Sequence, residues 1–431
     1  MSRRAWLWVA FFVVHVLVSV LGWIEPNEPM GDVYLVYEKW SSAFLNGGTY
    51  SYTDSLKGVT VSQYVGYVGL DVSWVYPQLA LVPMLLTWLL GWVIGYTPAW
   101  AVMVTALDAA AFAVLIGRGR AAGRTLAGAF WLAFILLLGP VALYRIDAIT
   151  VPLGILGCLW LIGRPWLGSV LLAVATWMKV WPAALLAAAV IAVRRRAAIV
   201  GGALVVSALT LGTVILLGGG SYAFGFISDQ AGRDLQVEAP VSTFYLWDYM
   251  LDGSSATFYD PDLLTFEIYG PYVNTVIPIM TPLLAVVVLA VAALGAYKAW
   301  RKASFVSLFP PLALALVTAF IAFNKVGSPQ YIVWISVPLI LGLTLDRRRW
   351  VKPAILALGI CLTTQIIYPL TYYDLLKAFP FPVVVITIRN ALMIALFVWS
   401  TVLVARTRVR HRRSVGGLAE PAPESVLTGG L

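Results

Sequence analysis

The class of this protein is decided by residues 3–40, RRAWLWVAFFVVHVLVSVLGWIEPNEPMGDVYLVYEKW. Two arginines precede an apolar run, Ala5 to Ile24, which is long enough to cross a bilayer as a helix and lacks a small-residue cleavage site. An acidic and aromatic segment follows it directly. This order predicts an uncleaved membrane anchor whose N-terminus stays in the cytoplasm and whose acidic segment lies on the opposite face.

The rest of the chain continues this alternation of apolar runs and charged breaks. Of its 431 residues, 61% are hydrophobic and 11% are charged, and the mean hydropathy is +0.88, which excludes an ordinary soluble domain. Further candidate spans are 78–95, 99–116, 126–143, 148–163, 167–178, 183–193, 197–217, 274–296, 304–323, 331–345, 352–368 and 384–405. We expect 78–95 to be re-entrant or interfacial. The predicted fold is an all-α polytopic membrane protein with about 12 transmembrane helices.

Acidic residues concentrate in two long loops, residues 25–77 and 218–272. The loops hold 14 of the 20 acidic residues, six in the first and eight in the second, and only three Lys and Arg. Because Lys and Arg are retained on the cytoplasmic side, both loops are predicted to be extracytoplasmic. The net charge of +9 then reflects cations that face anionic membrane lipids and does not indicate binding to nucleic acid.

We expect one transmembrane domain, residues 1–413, followed by a tail, residues 414–431. The tail contains Gly, Pro and Glu and has too few apolar residues to pack, so it is predicted to be disordered. The predicted location is the plasma membrane, with both termini in the cytoplasm.

Acid–base chemistry in this chain must rely on carboxylates. The only histidines and cysteines are His15, His411, Cys158 and Cys361, whose spacing builds neither a His-based triad nor a metal site. We therefore expect no metal and no cofactor.

Two carboxylates of the first long loop are candidates for this chemistry. Asp32 opens a segment whose apolar residues recur at helical spacing, where a carboxylate serves either as a helix cap or as a catalytic group at the water–lipid boundary. Asp71, in the aromatic stretch before Pro77, is the second acidic candidate.

Charges at the ends of apolar spans are the next informative feature, since an ion near hydrocarbon is costly unless it has a partner or faces water. Arg145 and Asp147 occupy a very short turn, Lys179 interrupts a hairpin, and Lys325 precedes VGSPQY. All are predicted on the outer face, against the positive-inside trend. Cations at such positions suit a lipid phosphate, while the alternatives are snorkelling and salt bridges, in which Arg145 pairs with Asp147 or with an acidic residue of a long loop.

In the second long loop, residues 232–242 read GRDLQVEAPVS. Arg233 is the only basic residue of this loop and is a candidate ligand for a phosphate or a sugar. Gln236, Glu238 and Ser242 could bond hydroxyl groups, and the alternative is that these are ordinary solvated loop residues.

The order of these motifs resembles that of GT-C glycosyltransferases, specifically the family-87 polyprenyl-phosphate-mannose-dependent mannosyltransferases of actinobacteria. The resemblance covers nearly the whole chain and consists of Gly-Asp after the first span, Tyr-Pro before the next, Arg-x-Asp, Lys-x-x-Pro, Arg-x-Leu-Gln-x-Glu and Ser-Pro-x-Tyr. Residues 31–34 and 324–334 are also similar to the eukaryotic enzyme that adds the first mannose to GPI anchors.

The resemblance implies the transfer of a mannosyl residue from polyprenyl-phosphate mannose to a glycolipid or lipoglycan acceptor, with inversion and an α-(1→2) linkage. In it, Asp32 is the catalytic base. The implied donor-phosphate ligands are Lys325, Lys179, Arg145 and Arg233. The implied sugar and acceptor ligands are Asp71, Asp147, Gln236, Glu238 and Gln330.

Family members related to mycobacterial phosphoinositol-mannoside enzymes carry a histidine pair where Gln330 and Tyr331 follow Ser-Pro here, so an identical acceptor is not implied.

Three other functions stay open at the level of sequence. An arabinosyl or glucosyl donor is the alternative within the enzyme class. A transporter or flippase and a non-catalytic scaffold are the alternatives outside it, although no paired inverted repeat supports transport.

Overall fold

The computed structural model describes residues 2–54, 59–227, 232–261 and 265–409. It is 73% helical with only small sheets, which confirms the predicted all-α polytopic membrane protein. The predicted tail, residues 414–431, lies outside the described residues.

The α-helices follow one another with few extended segments between them. They are α1 (Arg3–Ile24), α2 (Glu38–Leu45), α3 (Leu81–Ile94), α4 (Tyr96–Ile116), α5 (Ala122–Leu138), α6 (Asp147–Trp160), α7 (Pro165–Met178), α8 (Pro182–Ala192), α9 (Arg196–Leu216), α10 (Ser242–Met250), α11 (Val273–Trp300), α12 (Phe305–Ala322), α13 (Ser336–Leu345), α14 (Arg347–Gln365), α15 (Tyr372–Leu376) and α16 (Pro380–Ala405). Short 3₁₀ or π-helical turns cover Asp32–Tyr37, Gln78–Ala80, Gly139–Ala142, Gly220–Tyr222, Pro329–Ile335 and Ile366–Leu370.

Helices that could cross a membrane occupy the segments predicted from sequence. Among the described residues, eight are long and apolar enough: Arg3–Ile24, Tyr96–Ile116, Ala122–Ala142, Arg196–Leu216, Val273–Trp300, Phe305–Ala322, Arg347–Leu370 and Pro380–Ala405. Shorter apolar helices are Gln78–Ile94, Asp147–Trp160, Pro165–Met178, Pro182–Ala192 and Pro329–Leu345. The number of complete crossings, and the re-entrant path of 78–95, stay predictions.

The bundle is organised around α12, which is buried along almost its whole length. It packs against α8, α11, α13 and α16, while α5 and α14 pack on the far side of α13. By contrast, α11 exposes apolar side chains such as Val286 and Leu289 along its length. A helix that is buried all round and a helix with an exposed apolar face are the two kinds expected inside and at the rim of a membrane bundle.

Each long loop folds into a helix and a hairpin. The sequence analysis predicted the helix of the first loop from its apolar spacing, but it predicted neither hairpin nor the helix of the second loop. In the first loop, the turn Asp32–Tyr37 continues into α2, and β1 (Thr49–Asp54) pairs antiparallel with β2 (Val59–Tyr64). In the second loop, α10 is followed by β3 (Ala256–Asp260) paired antiparallel with β4 (Thr265–Tyr269).

The second long loop is also fixed to the bundle through its backbone. The amide of Ile268 donates to Leu235 O over 2.9 Å, and the amide of Gln236 donates to Lys325 O over 3.0 Å. Residues 235–237 therefore lie between β4 and the connection from α12 to α13. Gly327 permits this approach, since a Cβ there would overlap the backbone of Glu238 and Ala239.

We expect Gly327→Ala to lower the thermal unfolding temperature in detergent, because the added methyl group would push backbone away from backbone at a cost of about 1–3 kcal/mol or more. Gly201→Ala is the matched control, since a Cβ at Gly201 meets nothing within 4 Å. Equal unfolding temperatures for the two variants would contradict this account of the loop's attachment.

Candidate active site

Asp32 opens the π-helical turn Asp32–Tyr37, immediately after Gly31. Among the described residues, its carboxylate accepts no hydrogen bond from a first-turn amide. Instead, Oδ2 lies 3.3 Å from the Nε atom of Arg145 and accepts a 3.4 Å hydrogen bond from the Tyr37 hydroxyl. The helix-cap interpretation of Asp32 is therefore wrong: the side chain turns towards the bundle and joins an ion pair.

Arg145 holds this ion pair in a fixed position. Its Nη1 donates to the carbonyl oxygens of Pro29 and Tyr144 over 2.7 and 2.9 Å, and its Nη2 donates to the Tyr368 hydroxyl over 3.1 Å. Its Nε also lies 3.3 Å from Gln330 Oε1. The alternative pairing of Arg145 with Asp147 is wrong, and the alternative pairing with an acidic residue of a long loop is confirmed, since the ion pair of Arg145 is with Asp32.

Electrostatics favour the charged form of Arg145. Burial alone would lower the pKa of this guanidinium, but the charge of Asp32 and the neighbouring hydroxyls of Tyr368 and Tyr37 raise it overall. Burial, with Tyr76 and Asp32 nearby, raises the pKa of Tyr37 well above its usual range. Tyr37 is therefore a neutral donor, and its oxygen also accepts the amide of Ile146 over 3.1 Å.

A second ion pair lies beside the first. Asp147, the first residue of α6, accepts a 2.6 Å hydrogen bond from Trp334 Nε1 on one oxygen. Its other oxygen is 3.9 Å from Lys179 Nζ, and this ammonium also lies 4.4 Å above the ring of Tyr76. Burial lowers the pKa of Lys179, while the charges of Asp147 and Asp32 oppose that shift.

Asp32 and Asp147 differ in how much of their side chains is exposed, and this difference indicates different roles. The side chain of Asp32 keeps 32% of its accessible surface, whereas that of Asp147 keeps none. Asp32 can therefore touch a ligand directly, while Asp147 can influence one only through Lys179. We refer to Asp32, Arg145, Asp147, Lys179 and the nearby Arg233 as the central polar cluster.

The second long loop contributes Arg233 to this cluster. Its charge acts on Lys179 and on Tyr76, and its Nε atom is buried without a hydrogen-bond partner in the part of the chain that the structure describes. A guanidinium N–H placed in this way can donate to a bound anion or hydroxyl group.

Gln236 and Glu238 attach the same loop to the bundle. Gln236 Oε1 accepts the amide of Gly327 over 3.1 Å, and Glu238 Oε1 accepts the Tyr372 hydroxyl over 2.7 Å. Arg389 Nη2 donates to Glu238 O over 2.8 Å. Both side chains are buried, which contradicts the interpretation of Gln236 and Glu238 as solvated loop residues, and the polar atoms that they use here face protein rather than a substrate.

Two predicted ligands lie apart from the central polar cluster. The Asp71 carboxylate accepts the Tyr67 amide over 2.6 Å and the Tyr64 hydroxyl over 2.8 Å, so its bonds are local to the first long loop. Lys325 is buried, and the carboxylates that act on it are Asp234 and Glu267 rather than Asp32 or Asp147.

Tyr37, Tyr368 and Trp334 form hydrogen bonds with members of the central polar cluster but were missed by the sequence analysis. Each supplies the hydrogen bond that orients a charged group: Asp32, Arg145 and Asp147 respectively. Nothing in their local sequence separates them from the other aromatic residues at span ends, where such side chains are common. Only their partners reveal their role.

Residues 74–247 match the model of glycosyltransferase family 87. The matched part contains Arg145, Asp147, Lys179 and Arg233, but not Asp32. This match indicates that the protein is a glycosyltransferase. No curated protein matches the chain.

We expect Trp334→Phe to lower the thermal unfolding temperature in detergent. The variant keeps most of the ring but removes the indole N–H that donates to a buried oxygen of Asp147, and loss of a donor to a buried acceptor typically costs about 1–3 kcal/mol. Trp92→Phe is the control, since Trp92 is 70% exposed. If both variants unfold at the wild-type temperature, Trp334 does not support Asp147.

Proposed function

We propose that the protein transfers a mannosyl residue from polyprenyl-phosphate mannose to a glycolipid or lipoglycan acceptor at the extracytoplasmic face of the plasma membrane. The observation that carries this proposal is the central polar cluster, where an accessible carboxylate lies among three cations. A lipid-linked phosphosugar presents an anion beside an electrophilic carbon, and this arrangement complements both groups.

In the proposed reaction, Asp32 is the general base. Its Oδ2 is engaged by Arg145 and Tyr37, while Oδ1 has no hydrogen bond to the described residues, so Oδ1 is the atom that accepts the proton. The acceptor oxygen forms a bond to the anomeric carbon as the bond from that carbon to the phosphate oxygen breaks. Polyprenyl phosphate leaves, and the acceptor proton ends on Asp32.

Arg145, Lys179 and Arg233 are the proposed ligands of the donor phosphate. As charge develops on the leaving phosphate, cations already fixed by protein contacts stabilise it without reorganisation. Asp147 serves this step indirectly, because its charge favours the ammonium form of Lys179. Inversion and the α-(1→2) linkage rest on the resemblance of the motifs alone.

We expect Asp32→Asn to reduce transfer of radiolabelled mannose from polyprenyl-phosphate mannose to membrane lipids by at least about a hundredfold, because general-base catalysis typically contributes that much. The matched control is Glu28→Gln, which removes an exposed carboxylate from the same loop. Both variants are compared with the wild type in vesicles at equal protein levels.

The outcomes of this assay separate the alternatives. Transfer by Asp32→Asn at the wild-type rate would exclude Asp32 as the base. Transfer from arabinosyl or glucosyl polyprenyl phosphate, but not from the mannosyl donor, would overturn the choice of sugar. If the wild-type protein transfers none of the three sugars, the proposed reaction is wrong.

The donor specificity constant, kcat/KM, should fall at alkaline pH. Phosphate binding needs the ammonium form of Lys179, which is lost as the pH rises through the pKa of this residue. Because burial lowers that pKa, the loss occurs at a lower pH than for an ordinary lysine, whose pKa is about 10.4. Lys179→Arg should extend the plateau to higher pH, since arginine stays charged. A pH profile of the free-enzyme parameter is the measurement. Identical alkaline limbs in the two proteins would exclude Lys179 from donor binding.

A further inference from the structure

A second group of charged side chains lies where the second long loop meets the α12–α13 connection. It consists of Asp234, Glu267 and Lys325, which we call the second polar cluster. The backbone bonds from Ile268 to Leu235 and from Gln236 to Lys325 bring these three stretches of chain side by side. No step of the proposed mechanism uses this cluster.

Glu267 carries an unused hydrogen-bonding atom. The residue is 1% exposed, and its Oε1 accepts a weak 3.5 Å bond from Thr265, but its Oε2 is buried and has no hydrogen-bond partner among the described residues. Burial raises the pKa of Glu267, and the charges of Asp234 and Asp260 act in the same direction, while a hydrogen bond to the Asp234 backbone and the charge of Arg233 oppose the shift. A buried acceptor without a donor is destabilising, so natural proteins usually keep one only where a ligand or water completes it.

Arg233 supplies a complementary unused atom between the two clusters. Its charge acts on Lys179 and Tyr76 in the central polar cluster and also on Glu267 in the second. Within residues 2–54, 59–227, 232–261 and 265–409, its buried Nε is a donor without a partner, and Glu267 Oε2 is an acceptor without one. A hydroxyl group both donates and accepts, so hydroxyl groups of one ligand can satisfy both atoms.

The balance of charge indicates which ligand the second polar cluster would take. The cluster contains two acidic residues, Asp234 and Glu267, and one basic residue, Lys325. Burial lowers the pKa of Lys325, and the charges of the two carboxylates oppose that shift. Carboxylates at this density repel a phosphate but accept hydrogen bonds from neutral hydroxyl groups. The chemistry therefore fits an uncharged, hydroxyl-rich group.

We propose that Asp234, Glu267 and Lys325, together with Arg233, form an acceptor subsite that binds the sugar or polyol headgroup of the acceptor through its hydroxyl groups. The subsite rests on the proposed function, since it would present that headgroup to Asp32 from the side of Arg233. Lys325 is thereby assigned to the acceptor rather than to the donor phosphate.

The test measures binding of octyl α-mannoside to the full-length protein in nanodiscs by titration calorimetry. We expect Glu267→Gln to weaken binding about tenfold or more, because a hydrogen bond to a charged group is lost, and Asp234→Asn to weaken it severalfold. The control is Asp252→Asn, which removes one exposed carboxylate from the same loop, at a positive φ that asparagine tolerates.

A stability readout separates ligand binding from a structural role. Without ligand, Glu267→Gln should unfold at the same or a higher temperature than the wild type, since it removes a buried charge with an unpaired oxygen. Asp234 is exposed, so Asp234→Asn tests the subsite even if the first variant fails to fold.

Two results would overturn the subsite: wild-type protein that does not bind octyl α-mannoside, or folded Glu267→Gln and Asp234→Asn proteins that both bind it like the control. Failure of the proposed function gives a different result. If the protein binds the glycoside through Glu267 but transfers no sugar, the subsite is supported and the proposed reaction is contradicted.

Discussion

The ion pair between Asp32 and Arg145 is the interaction on which the candidate site depends. Arg145 donates at the same time to Pro29 at the start of the first long loop and to Tyr368 at the end of α14. Segments more than two hundred residues apart in the chain therefore meet at one guanidinium. Because its N–H groups have a fixed planar geometry, each of these contacts helps to define where the Asp32 carboxylate lies.

Burial explains why this cluster is both costly and useful. Asp147 is fully enclosed, and its charge is compensated by Lys179 and by the indole of Trp334. An arrangement of this kind is weak as a source of stability, since desolvation consumes much of the attraction between the charges. Its value lies in preorganisation: the cations are already held in place when a phosphate arrives, and of the two carboxylates only Asp32 is accessible.

The second long loop completes the site from the other side. Its residues 235–238 are buried between β4 and the α12–α13 connection, so Gln236 and Glu238 serve as attachments rather than as ligands. Arg233 stands just before this anchored stretch and acts on both polar clusters. A loop fixed this close to a charged residue can hold that residue near a substrate without burying it in the bundle.

Composition and charge pattern alone determined the membrane class, the positions of the apolar helices and the two acidic loops. They also identified the unusual charges Asp32, Arg145, Asp147 and Lys179. Hydrophobic runs and charged residues at the ends of spans can be recognised directly from the local sequence. Only the tertiary structure decided which charges pair. It paired Arg145 with Asp32 instead of Asp147, placed Lys325 where the charges of Asp234 and Glu267 act on it, and gave Tyr37, Tyr368 and Trp334 their roles. The physical reason is that a hydrogen bond or ion pair acts over a few ångströms between residues that are far apart in the chain. The sequence around one residue therefore does not indicate which residue is its partner.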